Sequence, residues 1–286
     1  MEFGAVLPHN EIGTAPDAIK AYAQGVEALG ATHLLIYDHV LGADPDRPGG
    51  FQGPYDKDVA FHEPFTTFAF MAACTEKLEM MTAVLILPQR QTVLVAKQAA
   101  ELAILSDNRF RLGVGTGWNE LEYVGLNETF GNRGRRQAEQ VRLLRRLWSE
   151  DSIDYEGDYH RIDLASIKPR PSEQVPIWFG GSAPALLKRC GELGDGWIPL
   201  GSPNEKTASM IEQIREHRAA AGLSWDGFGI QAQAQFAGGT PERWAGHAEK
   251  WQKLGATHLA IATHNAGETD VDGHLARIEE YLSAVR

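Results

Sequence analysis

The stretch EMMTAVLILPQRQTVLVAKQAAELAILSDNRFRLGVG, residues 79–115, reads as one complete strand–helix–strand unit. Residues 79–87 form an apolar β-type run, 91–105 follow a helical pattern, and 110–115 are a second short strand ending in glycine. A helical crossover between two strands lets them lie parallel in one sheet.

The same alternation continues in both directions. Further β-type runs occur at 3–8, 33–37, 176–180, 196–199, 228–236 and 257–262, making eight in all. Helical patterns at 15–29, 64–75, 134–149, 183–192, 205–220, 241–253 and 270–284 follow them, several opened by Pro or closed by Gly. Eight such units predict an α/β fold, a closed (β/α)8 TIM barrel forming one domain over residues 1–286, whereas a doubly wound open sheet usually needs fewer strands. An internal echo agrees: LGATHLLIYDH at 29–39 recurs as LGATHLAIATH at 254–264, each a helix end, a Gly stop and a strand.

Two regions interrupt the alternation. Residues 40–63, rich in Gly, Pro and Asp, predict a long loop after the second strand, a candidate lid or substrate wall. Residues 152–172 alternate aromatic and polar positions around Glu156-Gly157-Asp158, which predicts a small β-hairpin inserted before the fifth strand.

Composition narrows the function classes. Hydrophobic residues make up 43% of the chain, enough for a sizeable interior, and 38 acidic residues against 27 basic ones disfavour nucleic acid and anionic membranes as partners. Cys74 and Cys190 form no CxxC pair, and residues 1–10 carry no basic export segment, which fits a reduced, cytoplasmic setting with no membrane anchor. A small-molecule substrate is the expected partner.

In a barrel of this type, functional groups gather where the strands end. These ends supply His9, then Asp38 and His39, then Gly115 to Asn119, Gly180 to Ser182, and finally His264. Asp38-His39 is the candidate acid/base pair, because imidazole titrates near neutrality and a carboxylate can orient it; a histidine that merely hydrogen-bonds a loop carbonyl is the equal alternative. Gly180-Gly181-Ser182 joins a strand to a helix and resembles a phosphate cradle, although close packing alone can also demand such a turn. Gly113, Gly115 and Gly117 lack the full dinucleotide-binding spacing. His62, in the long loop, can contact substrate or simply be solvated, and Trp118 at a strand end can face a ring or plug the barrel. No HExxH or HxH run supports a metal site, no GxSxG elbow supports a serine hydrolase, and no cysteine stands at a strand end. Chemistry without a side-chain nucleophile points to a cofactor.

With these residues in view, the chain resembles the bacterial luciferase-like family, especially its short F420-dependent oxidoreductases. The resemblance covers essentially the whole chain and rests on TAVLILP (82–88), AKQ (96–98), LSDNR (105–109), FRLGVGTGWNE (110–120), FGNRGRR (130–136) and PIWFGGS (176–182). It implies a TIM barrel whose third strand carries a bulge with a non-prolyl cis peptide behind the cofactor ring, at Ala83–Val84. It further implies that Asp38 and His39 line a deazaflavin ring, with Gly115 and Thr116 beside it and Gly180, Gly181 and Ser182 on its phosphate. His9, His62 and Trp118 are expected on the substrate side. Sugar-phosphate dehydrogenases of the family carry a catalytic Glu where this chain has Trp118, so an aromatic or apolar substrate suits the pocket better. The resemblance thus implies F420 as cofactor, with FMN and monooxygenase chemistry as the alternative, a non-catalytic flavin-binding barrel as a third reading, and a homodimer as the assembly.

Overall fold

The computed structural model describes residues 1–286. In chain order its elements are β1 (Glu2–Val6), α1 (Pro16–Ala28), β2 (His33–Ile36), α2 (Pro64–Ala72), β3 (Glu79–Thr82), β4 (Leu85–Ile86), α3 (Thr92–Leu105), β5 (Phe110–Gly115), α4 (Glu120–Gly125), α5 (Arg133–Ser149), β6 (Ile153–Glu156), β7 (Arg161–Ala165), β8 (Ile177–Gly180), α6 (Pro184–Leu193), β9 (Gly196–Ile198), α7 (Glu205–Ala220), β10 (Gly229–Gln235), α8 (Pro241–Lys253), β11 (His258–Ala262) and α9 (Val271–Val285). The principal sheet runs β3-β2-β1-β11-β10-β9-β8-β5-β4, and the additional β3–β5 pairing closes it into a barrel of parallel staves, with β3 and β4 sharing one stave. This is the (β/α)8 barrel that the alternation of strands and helices predicts.

Local chemistry sets the helix starts. Pro occupies the first turn of α1, α2, α6 and α8, where its missing N–H costs nothing. Side chains of Glu63, Asn204, Thr240 and Asp270 accept from the first turns of α2, α7, α8 and α9.

Most of the core lies between the strands and the surrounding helices, where 57 buried residues form one cluster. A second cluster of seven, including Val6, Leu35, Met81, Trp178 and Ile198, fills the barrel axis. Trp178 reaches across that axis because two neighbouring staves carry glycine: a Cβ on Gly229 would stand 2.0 Å from its ring and one on Gly196 2.3 Å. The barrel is therefore a packed interior below a cavity, not a pore.

The third stave breaks in the middle. Thr82 Oγ1 donates to Gly113 O (2.7 Å), Ala83 N to Ile36 O (2.7 Å), the Ala83–Val84 peptide is cis, and pairing to β5 resumes at Leu85. The inserted hairpin is β6 and β7, paired antiparallel with a register shift. Residues 40–63 hold no helix and no strand beyond the isolated bridge Ala43–Asp56. The short helix α4 has no counterpart in the sequence reading.

Candidate active site

The carboxyl ends of the staves surround a cavity of about 540 Å³. Volumes of this order hold drug-sized ligands and cofactors. Its wall brings together Asp38 and His39 after β2, Ala83 and Val84 at the stave break, Gly115, Thr116 and Trp118 after β5, and Gly180, Gly181 and Ser182 after β8. Val84 stands at its floor. Its two methyls fit only because the neighbouring staves end in glycine: a Cβ on Gly115 would lie 2.3 Å from Val84 Cγ2, and one on Gly180 2.5 Å from Cγ1.

Asp38 does not partner His39. Its carboxylate is buried, accepting from Ile86 N (2.9 Å) through Oδ2 and from the Arg90 guanidinium (2.7 Å) through Oδ1. Both oxygens thus tie the segment after the stave break to β2. The carboxylate facing His39 belongs to Glu122 on α4, with Oε1 3.4 Å from Nδ1. Glu122 is 1% exposed, and the same oxygen accepts from Val40 N (2.7 Å) and Leu41 N (3.3 Å). Around the imidazole stand Tyr55, Phe61 and Trp118, with ring centroids at 5.0, 4.7 and 5.9 Å.

His9 and His62, expected on the substrate side, do not line the cavity. Phe61 of the long loop lies against the His9 ring, centroids 4.2 Å apart, and covers it. His9 is 2% exposed, and burial, reinforced by His264, pushes its pKa down to about 3. It is a neutral imidazole packed beneath the loop. Trp118 does line the cavity, 44% exposed at its mouth and facing Phe51 at 6.2 Å.

Gln231, Gln233 and Tyr37 are among the lining residues that escaped the sequence reading. Gln231 and Gln233 of β10 point inward at alternate positions, and Tyr37 accepts a hydrogen bond from Gln233 Nε2. Burial pushes the Tyr37 phenol up to about 12. Gln231 is 1% exposed, and its Oε1 has no partner within the protein. The run GIQAQAQ carries the signal, because glutamine at every second position of a barrel strand points into the interior. The turn between β8 and α6 also carries free donors: Gly181 has φ +129°, α6 starts three residues later without a side-chain cap, and the N–H groups of Ser182 and Ala183 make no hydrogen bond within the protein.

Neither cysteine is placed for chemistry. Burial raises both thiols, Cys190 far up inside the core and Cys74 just past the end of α2, and neither lines the cavity. No helix is long and apolar enough to cross a membrane.

Comparison with known proteins agrees with this fold. Residues 1–283 match the family described as luciferase-like monooxygenase. An uncharacterized protein of Mycobacterium tuberculosis is 33% identical over 224 residues, 73% of this chain and 77% of that one. The F420-dependent glucose-6-phosphate dehydrogenase of the same organism is 35% identical over 223 residues, 74% of this chain but only 62% of that enzyme. Among solved structures, an F420-dependent secondary alcohol dehydrogenase bound to an F420–acetone adduct superposes with a TM-score of 0.80 at 18% identity, covering 100% of this chain and 99% of that one. The monooxygenase RslO1 of Streptomyces bottropensis gives the same TM-score at 16% identity, covering 100% and 98%; these two likenesses establish the fold alone. Matched over nearly its whole length, the chain belongs to the luciferase-like monooxygenase family.

Proposed function

We propose that the protein is an F420-dependent oxidoreductase that exchanges a hydride between the deazaflavin and a small organic substrate with an apolar or aromatic body. The observation that carries this reading is the convergence, around one cavity, of the His39 strand end, the Val84 floor and the Gly180–Ser182 turn. The match to F420-dependent relatives supports the choice of cofactor.

The residues present fit such a group. A tricyclic ring needs a flat apolar support, which Val84 supplies between Gly115 and Gly180. A phosphate on its tail needs backbone donors, which the free N–H groups of Ser182 and Ala183 supply at the N-terminus of α6. A ring N–H would satisfy the unpartnered Gln231 Oε1. Bound F420 would supply or take up the hydride. His39 would accept or return the substrate proton, and the barrel walls would hold the reacting groups together and keep water out.

Substrate character follows from the cavity mouth. Trp118 and the 67%-exposed Leu200 line it with apolar surface, and Trp118 stands directly after Gly117, where sugar-phosphate dehydrogenases of the family carry a glutamate. Turnover should appear as a change in F420 absorbance with small alcohols or conjugated carbonyl compounds, without activity on glucose 6-phosphate. Oxygen uptake with reduced FMN, and no F420 turnover, would put the monooxygenase reading in its place.

A further inference from the structure

We infer that Glu122 is the positioning residue for His39. Its carboxylate faces Nδ1 and keeps the ring's proton on that nitrogen, leaves Nε2 as the nitrogen that meets substrate, and balances the imidazolium when the ring is doubly protonated. The inference rests on the proton-transfer role proposed for His39.

The sequence offers Asp38 for this task, but the fold gives Asp38 other work. Both of its oxygens are engaged by Ile86 N and Arg90. Glu122 reaches His39 from the other side. Asn119, directly after Trp118, caps α4 by accepting from Leu121 N (3.2 Å), which places Glu122 in the first turn with its side chain directed at the β2 end. The residue is 1% exposed, and its only ion-pair partner is His39, at 3.4 Å. A buried carboxylate with no Arg or Lys beside it is costly, and an imidazole that can share or carry a proton offsets that cost.

Chemistry then fixes the ring. An ionised carboxylate oxygen only accepts, so the proton is favoured on the nitrogen facing it at 3.4 Å, which leaves the neutral ring a bare Nε2. Tyr55, Phe61 and Trp118 enclose the ring and oppose its turning away. The two backbone N–H groups of Val40 and Leu41 hold the carboxylate in place and join the root of the long loop to the same point. Glu122 therefore ties the orientation of His39 to the seating of that loop.

Glu122→Leu tests this, because it removes the oxygen facing Nδ1 together with the negative charge while keeping the side chain's bulk. Side-chain 1H–15N spectra of the cofactor-free protein, at a pH where imidazoles are neutral and with His39 assigned through His39→Gln, report which ring nitrogen is protonated. The wild type should show the proton on Nδ1, and Glu122→Leu should move a substantial share of it to Nε2. With F420 and a turned-over substrate, kcat should fall about a hundredfold while KM and the F420 dissociation constant stay within about twofold. Glu122→Asp, which restores the charge, should recover the Nδ1–H form. An unchanged tautomer in Glu122→Leu, or a changed one with unchanged kcat, would overturn the inference and reduce Glu122 to a loop anchor. If Glu122→Leu fails to fold, the tautomer in the wild type and in Glu122→Asp decides. The spectra need no cofactor, so a failure to bind F420 would count against the proposed function without touching the tautomer result.

Discussion

Residues 29–39 and 254–264 begin as copies of one another and end as different devices. At the amino mouth of the barrel they remain equivalent. Thr32 Oγ1 bonds His33 Nδ1 at 2.9 Å and Thr257 Oγ1 bonds His258 Nδ1 at 2.7 Å, and the two imidazoles meet edge to face with centroids 5.2 Å apart. Arg111 sits beside them, paired with Glu79. At the carboxyl mouth the first copy ends in Asp38-His39, which reach Arg90 and Glu122 and line the cavity. The second ends in Thr263-His264, where Thr263 Oγ1 bonds His274 and His264 packs against His9 off the cavity wall. One strand unit can thus keep a shared structural end while its other end changes role, because the two mouths of a parallel barrel share few contacts.

The largest test of that contrast is kinetic. His39→Ala should lower F420-dependent turnover about a thousandfold, as expected for loss of a general acid/base, whereas His264→Ala should leave it within about threefold. Comparable losses in both variants would erase the distinction between the copies.

Stability should separate the residues just before them. Asp38→Ala leaves the partly buried Arg90 guanidinium with only the more exposed Glu63 and should cost about 3 kcal/mol in urea unfolding. Thr263→Ala removes one hydroxyl bond to His274 and should cost about 1 kcal/mol.

Acid should weaken both mouths together. Burial pushes His9 down to about 3, and at His258 burial and Arg111 outweigh the half-exposed Glu2 carboxylate 3.2 Å away, again bringing it to about 3. Each ring is neutral in the folded protein, while the unfolded chain takes up a proton near the ordinary 6.5. Their stabilising contribution is therefore complete above that pH and is lost as pH falls toward 3, by ~1.4 kcal/mol per pH unit for each group. His9→Asn and His258→Asn should each flatten the fall of unfolding free energy between pH 6 and 4. An unaltered slope would mean that the rings are protonated in the folded state.

The smallest effects should be equal in the two copies. Gly30 and Gly255 stop the helices before the paired strands with φ of +74° and +86°, and Gly→Ala at either should cost about 1–2 kcal/mol in unfolding free energy. Unequal costs would show that the turns are not equivalent.

The barrel was legible because each stave carries its own signal. HLLI and IWFG are short apolar runs, and the proline-led helix starts follow with little ambiguity. The strand-end positions also told where the cavity lies, since the ends of parallel strands share one face. Partnership was not legible. Asp38 and His39 are adjacent in sequence, yet consecutive residues point different ways as a strand runs out, and their partners Arg90 and Glu122 come from 52 and 83 positions further along. Glu122 was hidden again because α4 spans only six residues, too few for a helical period to show. His9 looked available at a strand end, but only the fold reveals that Phe61 closes over it.

The most direct test of the central claim is a fluorescence titration of the purified protein with F420 and, separately, with FMN, repeated with Gly180→Val, whose side chain would collide with Val84 and intrude on the cavity floor. F420 dependence predicts saturable F420 binding, much weaker FMN binding, and loss of the F420 signal in the folded variant. Preference for FMN, or F420 binding untouched by Gly180→Val, would contradict it.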